Sequence, residues 1–337
     1  MKIQAYLLSI LIIFLLISCE HPNDYERNNP FDPEGTTQGG LINTIHEFLG
    51  ENSHALCLAL GPDGTFFLIH SSPYNSAPEG LSAYTFHDSS FIQKAFYSIN
   101  QDHKVGDIAI GPDGIICTAN SGLRVYVYDG SSFVLRASRD LNAEGLAIDM
   151  NGTIFTAFGE NGLYAYTLGG SDLVGEAHIN DPGYAYKVTL GPDSIIYLAN
   201  GNDGLRAYTY ANSSFTNVTR VSDGREAIDV VIGSDGTIFL ADKYDGLRAY
   251  TFNGSSFQLQ AQLNLSNIQS VTVDSNGLIY LPRNKDGLQV VSYDGSSFKL
   301  LSHINNGGEA FKVVVNSSGT VFLANGSDGL RVYVFKK

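Results

Sequence analysis

The chain has 337 residues, of which 43% are hydrophobic and 16% charged, so it can bury a large core and is not disordered as a class. Its formal net charge is −14, with 20 basic against 34 acidic residues, which argues against nucleic acid because phosphate binding needs clustered Lys and Arg. The sequence contains no Trp, so the signature of WD-repeat propellers is absent.

Residues 1–18 have the pattern of a bacterial lipoprotein signal peptide. Lys2 precedes an almost wholly apolar run over 3–17, which is short for a membrane span. The run ends in L-I-S-C, which resembles a lipobox, in which the Cys is acylated and the chain is cleaved just before it. We therefore expect lipid attachment at Cys19 and a place in the bacterial cell envelope, at the outer membrane and facing the periplasm or the surface. An ordinary signal anchor with a chance Cys is the alternative.

Residues 19–40 are rich in Pro, Asn, Asp and Gly, show no apolar periodicity, and are interpreted as a lipidated tether. The rest of the chain, 41–337, is a repeat. The dipeptide Gly-Leu recurs at spacings of 40–42 residues, with its Gly at 80, 122, 162, 204, 246, 287 and 329. Each copy holds four apolar segments bounded by Gly, Asp, Asn or Ser, which is the pattern of strands and turns. Seven four-stranded copies predict an all-β, seven-bladed β-propeller.

The two ends of the repeat region predict how the fold closes. The last copy stops at Phe335, after its third strand, and residues 41–48 form an unpaired apolar segment before the first copy. Pairing of these ends would complete the last blade and remove a bare sheet edge. An open β-solenoid is the alternative architecture, and it would leave both ends unpaired.

Two copies, YAYKVTLGPDSIIYLANGNDGLRAYTY (184–210) and VVVNSSGTVFLANGSDGLRVYVF (313–335), resemble the LVIVD-repeat family of propellers. The half-copy G-P-D-G-x-I-Y/F-L-A is also similar to NHL-repeat and gluconolactonase-like propellers. The resemblance covers residues 45–337 and concerns structural motifs. It implies a propeller of the bacterial surface or envelope, a group whose activity is often unassigned.

A first candidate site comes from differences between copies. The loops from strand four to the next strand one, and from strand two to strand three, share one rim, which usually carries function in propellers. In the first copy the second of these loops is longer, and the connection into the second copy is also long. Two explanations of the insertions remain open. They form a ligand site over blades 1 and 2, or they are sequence drift in loops near the closure of the ring, where insertions are tolerated. The candidate rim residues are His70, Tyr74, Glu79, His103 and Lys104.

A second candidate site is the mouth of the central channel. Charged and polar residues occupy inner-strand positions where a packed core needs none. They indicate either a site for a polar ligand or ion, or a water-filled channel lined by paired Lys and acidic residues. The candidate mouth residues are His54, Asp107, Tyr184, Lys187, Glu226, Asp229, Glu309 and Lys312.

No catalytic motif is present in the sequence: there is no G-x-S-x-G, no H-E-x-x-H and no phosphate-binding Gly loop. The sequence therefore favours a monomeric, non-enzymatic binding module for a protein or glycan partner, without cofactor or metal. The alternative is a metal-dependent hydrolase or lactonase, with Glu226, Glu309, Asn142 and Asn267 as ligands at the channel mouth. A spacer in an envelope complex is a third interpretation.

Overall fold

The structure is a computed structural model that describes residues 40–47, 54–71, 79–88, 90–99, 106–119, 122–192, 194–222, 224–305 and 307–336. Within these residues the fold is all-β, with seven antiparallel sheets of four strands arranged as a β-propeller. No helix in this part of the chain is long and apolar enough to cross a bilayer. The predicted seven-bladed propeller is confirmed.

Each blade runs from an inner strand at the central channel to an outer strand at the rim of the disc. Blades 1 and 2 contain β2 (His54–Leu60), β3 (Phe66–Ser71), β4 (Gly80–His87), β5 (Ser90–Ser98), β6 (Asp107–Ile110), β7 (Ile115–Ala119), β8 (Leu123–Tyr128) and β9 (Phe133–Arg139). Blades 3 and 4 contain β10 (Gly145–Ile148), β11 (Ile154–Ala157), β12 (Leu163–Gly169), β13 (Asp172–Ile179), β14 (Lys187–Leu190), β15 (Ile196–Ala199), β16 (Leu205–Ala211) and β17 (Ser214–Val221). Blades 5 and 6 contain β18 (Ala227–Ile232), β19 (Ile238–Asp242), β20 (Gly246–Phe252), β21 (Phe257–Leu263), β22 (Thr272–Val273), β23 (Ile279–Pro282), β24 (Leu288–Tyr293) and β25 (Phe298–Ile304).

Blade 7 combines both ends of the repeat region. Its first three strands are β26 (Lys312–Val315), β27 (Thr320–Ala324) and β28 (Leu330–Lys336). The fourth is β1 (Gly40–Glu47), which pairs antiparallel with β28 from Gly40 opposite Lys336 to Glu47 opposite Leu330. The ring is therefore closed by the N-terminal strand, as the missing fourth strand of the last copy predicts.

The second strand of each blade is buried on both faces because a neighbouring blade covers each side. In β11, β15 and β23 every residue is buried, which explains why these segments are continuously apolar rather than alternating.

The tight turn after each inner strand needs a residue with a left-handed backbone conformation. Gly64 takes a φ of 84° there, and Ser194, which replaces Gly in the fourth copy, takes 63°.

Aromatic side chains fill the interfaces between blades. Phe155 of blade 3 meets Tyr210 and Phe215 of blade 4, with ring centroids 5.2 and 6.1 Å apart, and analogous contacts recur between other neighbouring blades. Between blades 2 and 3 the aromatic residue is replaced by Cys117, which is fully buried and packs with Leu173. Cys117 and Cys57 are both free thiols, so no disulfide joins them.

Backbone bridges also tie consecutive blades together at the end of the ring where the inner strands begin. Gly201, in the β15–β16 loop of blade 4, exchanges two hydrogen bonds of 3.0 Å with Ala227 of blade 5. Ala55 and Gly326 make the same exchange between blades 1 and 7. Gly201 has a φ of 59°, and a Cβ there would lie 3.3 Å from Tyr184. The Gly of this loop therefore supplies the left-handed backbone of the bridge and lies close to the segment that enters its own blade.

Candidate functional site

The inner strands all begin at one end of the channel, which we call the mouth end, and finish in tight turns at the opposite turn end. The mouth end gathers the loops that enter each inner strand and the loops between second and third strands, as the bridge between Gly201 and Ala227 shows. These are the two sets of loops that were expected to share a rim. The side chains around the mouth therefore come from all parts of the chain.

Just inside the mouth, one residue in or just before each inner strand contributes to what we call the charged ring. Asp107 of blade 2 accepts a hydrogen bond of 3.1 Å from the backbone N–H of Leu146 in blade 3 and forms an ion pair with Lys187 of blade 4. Each carboxylate is thus satisfied by the next two blades. The ring consists of Cys57, Asp107, Gly145, Lys187, Asp229, Ser270 and Lys312.

The second half of the ring repeats the arrangement three blades further on. Asp229 of blade 5 accepts a hydrogen bond of 3.0 Å from the N–H of Val271 in blade 6. Lys312 of blade 7 lies with its Nζ 3.6 Å from the Asp229 carboxylate. The two acidic and two basic side chains therefore neutralise one another, which matches the interpretation of a channel lined by paired charges.

Burial and neighbouring charges shift the pKa values of Asp107 and Lys312 in opposite directions. Burial alone would raise the pKa of Asp107, but Lys187, Lys312 and the hydrogen bonds from Lys187 and Leu146 outweigh it and lower this pKa. Burial would lower the pKa of Lys312, yet the carboxylates of Asp229 and Asp107 raise it. Burial, reinforced by Asp107, raises the pKa of the Cys57 thiol to about 12, so the thiol is protonated at neutral pH.

Between the charged ring and the turn end the channel widens into a cavity of about 610 Å³. Its lining includes Asp107, Lys187 and Lys312 at one end and apolar inner-strand residues such as Val231 and Val314 along its walls. The ring thus lies at one end of a cavity whose walls are lined mainly by Leu, Ile and Val side chains of the inner strands.

On the mouth side, aromatic and acidic side chains form a continuous arc across blades 3, 4 and 5. Tyr184 donates a hydrogen bond of 2.6 Å to the carboxylate of Glu144, and Tyr186 donates one to Glu226. The two phenol rings lie 4.6 Å apart between centroids, at an angle of 43°. We call this group, with the adjoining loop of blade 5, the tyrosine arc, and it consists of Glu144, Tyr184, Tyr186, Glu226, Lys243 and Tyr244.

The far end of the arc lies on the β19–β20 loop. The Nζ of Lys243 is 3.9 Å from the Glu226 carboxylate and 5.5 Å from the centre of the Tyr244 ring. Tyr244 is 50% exposed, the highest exposure of any aromatic residue among the large exposed hydrophobic side chains of the described chain. Partial burial and the bond to Glu144 raise the pKa of Tyr184 to about 12, so its hydroxyl remains a donor at neutral pH.

A buried carboxylate fixes the backbone beneath the arc. Asp242 is fully buried, and its oxygens accept hydrogen bonds of 2.7–3.0 Å from the N–H groups of Arg225, Glu226, Tyr244 and Asp245. The equivalent side chain in blade 4 is Asn200, whose amide instead donates to the carbonyl of Pro182 at 2.7 Å. Replacing an amide by a carboxylate therefore lets one side chain order both loops that carry the arc in blade 5.

The other predicted mouth residues are placed apart from the arc. Glu309 contacts the hydroxyl of Ser327 at 3.2 Å, and His54 is half-buried at the start of β2. Asn267, a suggested metal ligand, donates to Asp286 at 3.0 Å. In the described part of the chain no three His, Cys, Asp or Glu side chains converge in a way that could hold a metal.

The candidate rim over blades 1 and 2 is described in part. His70 belongs to β3, is 8% exposed, and bonds to the Ser82 hydroxyl at 2.9 Å, so it serves the packing of blade 1. The backbone carbonyl of Glu79 accepts from the N–H of Ile99 at 3.0 Å. Cys19, Tyr74, His103 and Lys104 lie outside the described residues.

The sequence identified Tyr184 and Glu226 but missed Glu144, Tyr186, Lys243 and Tyr244 as partners in one site. The available signal was local: the segment entering blade 4 carries two Tyr separated by one Ala, unlike any other copy. The residues that contact these Tyr come from 40 positions on either side in sequence. Their convergence follows from the circular order of the blades.

Comparison with known proteins supports the fold. A catalytically inactive variant of virginiamycin B lyase from Staphylococcus aureus, determined with quinupristin, is 13% identical, with a TM-score of 0.69 over 87% of this chain and 98% of that chain. A streptogramin B lyase is 14% identical, with a TM-score of 0.68 over 90% of this chain and 100% of that one. No protein-family model and no curated protein sequence matches the chain.

A third structural neighbour has a different setting. The extracellular domain of a hybrid two-component system from B. thetaiotaomicron is 16% identical, with a TM-score of 0.63, and the match covers 87% of this chain and 41% of that chain. The same seven-bladed architecture thus occurs in an enzyme and in the extracellular part of a sensor system. At these identities the likeness shows the fold, and function must be argued from the site.

Proposed function

We propose that this protein is a lipid-anchored propeller of the bacterial cell envelope, and that it acts as a non-enzymatic binding module. Its partner, a protein or a glycan, binds at the channel mouth over blades 3 to 5. Residues 1–18 serve as the lipoprotein signal peptide, 19–40 as the lipidated tether and 41–337 as the binding domain. The resemblance of its repeats to LVIVD propellers and the extracellular neighbour support an envelope location.

The tyrosine arc is the observation that carries this proposal. Tyr side chains combine a large apolar surface with a polar end, and for this reason they are enriched at recognition surfaces. Tyr184, Tyr186 and Tyr244 are half-buried or exposed at the mouth, and Asp242 holds the loops of blade 5 in place. A preorganised aromatic surface binds with a smaller loss of conformational entropy than a mobile one.

The lyase neighbours include enzymes, but three of the described His side chains of this chain are engaged in structural hydrogen bonds. His178 bonds to the carbonyl of Asn161 at 2.7 Å, and His303 bonds to the carbonyl of Asp286 at 2.6 Å. His70 is engaged by Ser82. These imidazoles stabilise the loops and blades that carry them. Within the arc the carboxylates of Glu144 and Glu226 each accept a hydrogen bond from a phenol.

The anchor is tested by replacing Cys19. We expect Cys19→Ser to abolish incorporation of labelled fatty acid and to move the protein out of the detergent phase in Triton X-114 partitioning. Cys57→Ala is the matched control, because it removes a buried thiol of the propeller and leaves the N-terminal Cys in place. Unchanged partitioning of Cys19→Ser would contradict the lipid anchor.

The binding site is tested in intact cells by site-specific photo-crosslinking. A benzophenone amino acid at Tyr244 should give a discrete crosslinked species, since this side chain is exposed at the mouth. The same residue at Met150, which is 84% exposed in a turn at the opposite end, is the control. Crosslinks that form from Met150 and not from Tyr244 would place the partner at the wrong end for this proposal.

A further inference from the structure

We infer that the ligand of the tyrosine arc is a neutral oligosaccharide. This inference rests on the proposed binding function and specifies the chemistry of the partner. It follows from four properties of the arc: the arrangement of its aromatic rings, the pattern of its hydrogen-bonding groups, the sign of its charge and its extent across three blades.

The aromatic side chains of the arc form one packed pair and one exposed ring rather than a cage. The ring centroids of Tyr184 and Tyr186 are 4.6 Å apart and the ring planes are inclined by 43°, so the two rings pack against each other and no gap remains between them for an ammonium or guanidinium group. An aromatic cage for a cation requires rings spaced around the charge, within about 6 Å of it on several sides. The ring of Tyr244, which is 50% exposed at the other end of the arc, instead suits the flat face of a pyranose, whose C–H bonds point towards the electron-rich face of the ring.

Each Tyr of the packed pair is hydrogen-bonded to one Glu. Tyr184 donates to one oxygen of Glu144, and Tyr186 donates to one oxygen of Glu226. Each phenol oxygen keeps lone pairs, and each carboxylate keeps further acceptor positions. Adjacent hydroxyls of a sugar can donate to such a carboxylate while they accept from neighbouring N–H and O–H groups. The existing bonds hold both carboxylates in a fixed orientation before any ligand arrives.

The charge of the arc selects against anions. Glu144 and Glu226 are acidic, and Glu160 lies close enough to contribute to the raised pKa of Tyr184. Lys243 is the arc's basic side chain, and its charge is offset by Glu226 at 3.9 Å. A uronic acid or a sulfated sugar would therefore be repelled, whereas a neutral sugar would not.

The length of the arc points to an oligomer. The site extends over three consecutive blades, whose inner strands are tied at this end by the bridges of Gly159 to Ala185 and of Gly201 to Ala227. Several sugar units can thus contact a rigid surface at once. Each unit adds hydrogen bonds and ring contacts without a new cost of ordering the protein.

Calorimetric titration of the full-length chain in zwitterionic detergent micelles tests the inference. The neutral probes are maltohexaose, cellohexaose, xylohexaose and chitohexaose, and the charged probes are hexagalacturonate and hexalysine. We expect at least one neutral hexasaccharide to bind with a submillimolar Kd, and hexagalacturonate to bind at least tenfold more weakly.

Variants locate the binding. Tyr186→Ala removes one ring of the packed pair and the phenol that orients Glu226, and it should weaken the affinity for that neutral sugar at least tenfold. Tyr184→Phe and Glu226→Gln each alter one polar group and should weaken it about two- to tenfold. Tyr128→Phe is the matched control, because it removes a phenol that bonds to the Gly130 carbonyl at the turn end, and it should leave the affinity unchanged.

The outcomes separate the inference from the proposed function. If no neutral hexasaccharide binds, or if binding is unaffected by Tyr186→Ala, the oligosaccharide inference is overturned. If hexalysine binds and Tyr186→Ala abolishes this binding, the ligand is a cationic peptide and the binding-module proposal stands. Crosslinks from Tyr244 to a protein, with no sugar binding, would likewise reject the sugar and retain the module.

Discussion

At the scale of single residues, one carboxylate joins three blades of this propeller. Asp107 lies on blade 2, bonds to the Leu146 N–H of blade 3 and pairs with Lys187 of blade 4. The fixed period of the repeat predicts that these side chains lie at one level of the channel. It could not assign the pairs, since the partners are 80 residues apart and the pairing depends on side-chain length across the channel.

Removing the lysine of this pair should destabilise the protein. Lys187→Met leaves the Asp107 carboxylate buried without its cation, and we expect a loss of about 3–5 kcal/mol in the free energy of unfolding. Chemical denaturation measures the effect, with the exposed Lys299→Met as control. The double variant Lys187→Met with Asp107→Leu should recover part of the loss. If Lys187→Met proved as stable as Lys299→Met, this role of the ion pair would be refuted.

The lowered pKa of Asp107 also predicts an acid-sensitive contribution to stability. A carboxyl whose pKa is lower in the folded than in the unfolded state stabilises the fold above its ordinary value of 3.8. This contribution is lost as the pH falls from 3.8 through the lowered pKa. The stability difference between wild type and Asp107→Asn should therefore be constant from pH 7 to pH 5 and shrink below pH 4. A difference that grows on acidification would contradict this assignment.

Some of the acidic residues act as hydrogen-bond acceptors within tight turns. The side chain of Asp129 accepts hydrogen bonds of 2.8 and 2.7 Å from the N–H groups of Ser131 and Ser132, and Asp294 does the same in blade 6. These bonds lower the pKa of both carboxyls. The Asp residues of these two turns thus act as acceptors for backbone N–H groups.

At the scale of elements, the prediction of strands succeeded where the repeat is regular. The closing strand was expected over residues 41–48 and is observed as β1 at Gly40–Glu47. The inner strand of blade 6 is reduced to the two residues of β22. There the hydroxyls of Ser270 and Thr272 donate to the carbonyls of Phe311 and Val313 in blade 7. Hydrogen bonds from side chains to a neighbouring blade leave no pattern that a sequence displays.

Loss of β1 should open the ring. Deletion of residues 40–47 leaves β28 as a bare sheet edge and exposes the outer side of blade 7. We expect the free energy of unfolding to fall by several kcal/mol, with a lower melting temperature in calorimetry. Deletion of residues 31–38, in the predicted tether, is the control of equal length and should leave melting unchanged. Equal melting temperatures for both deletions would mean that closure does not depend on β1.

At the scale of the whole molecule, the two ends of the propeller lie side by side, because Gly40 pairs with Lys336. A circular permutant of residues 40–336, with these ends joined by a short Gly linker and opened between Gly130 and Ser131, keeps every blade intact. We expect its melting temperature to lie within a few degrees of that of the parent.

A second permutant provides the contrast. Opening the chain between Gly326 and Ser327 cuts the loop that bridges blade 7 to Ala55 of blade 1, and it should melt at a lower temperature. Identical melting of the two permutants would indicate that the bridges between blades add little to stability. Calorimetry on the purified domains distinguishes the two results.

The direction of β1 sets how the molecule responds to force. Its pairs with β28 run from Gly40 at the turn end to Glu47 at the mouth end. If the protein is anchored through its N-terminus, as proposed, the chain enters the propeller at the turn end, opposite the end that carries the tyrosine arc. A partner that pulls on the mouth loads β1 along its own length, so all its pairs with β28 share the tension at once. The strand that closes the ring is thus also the one that would bear the mechanical load.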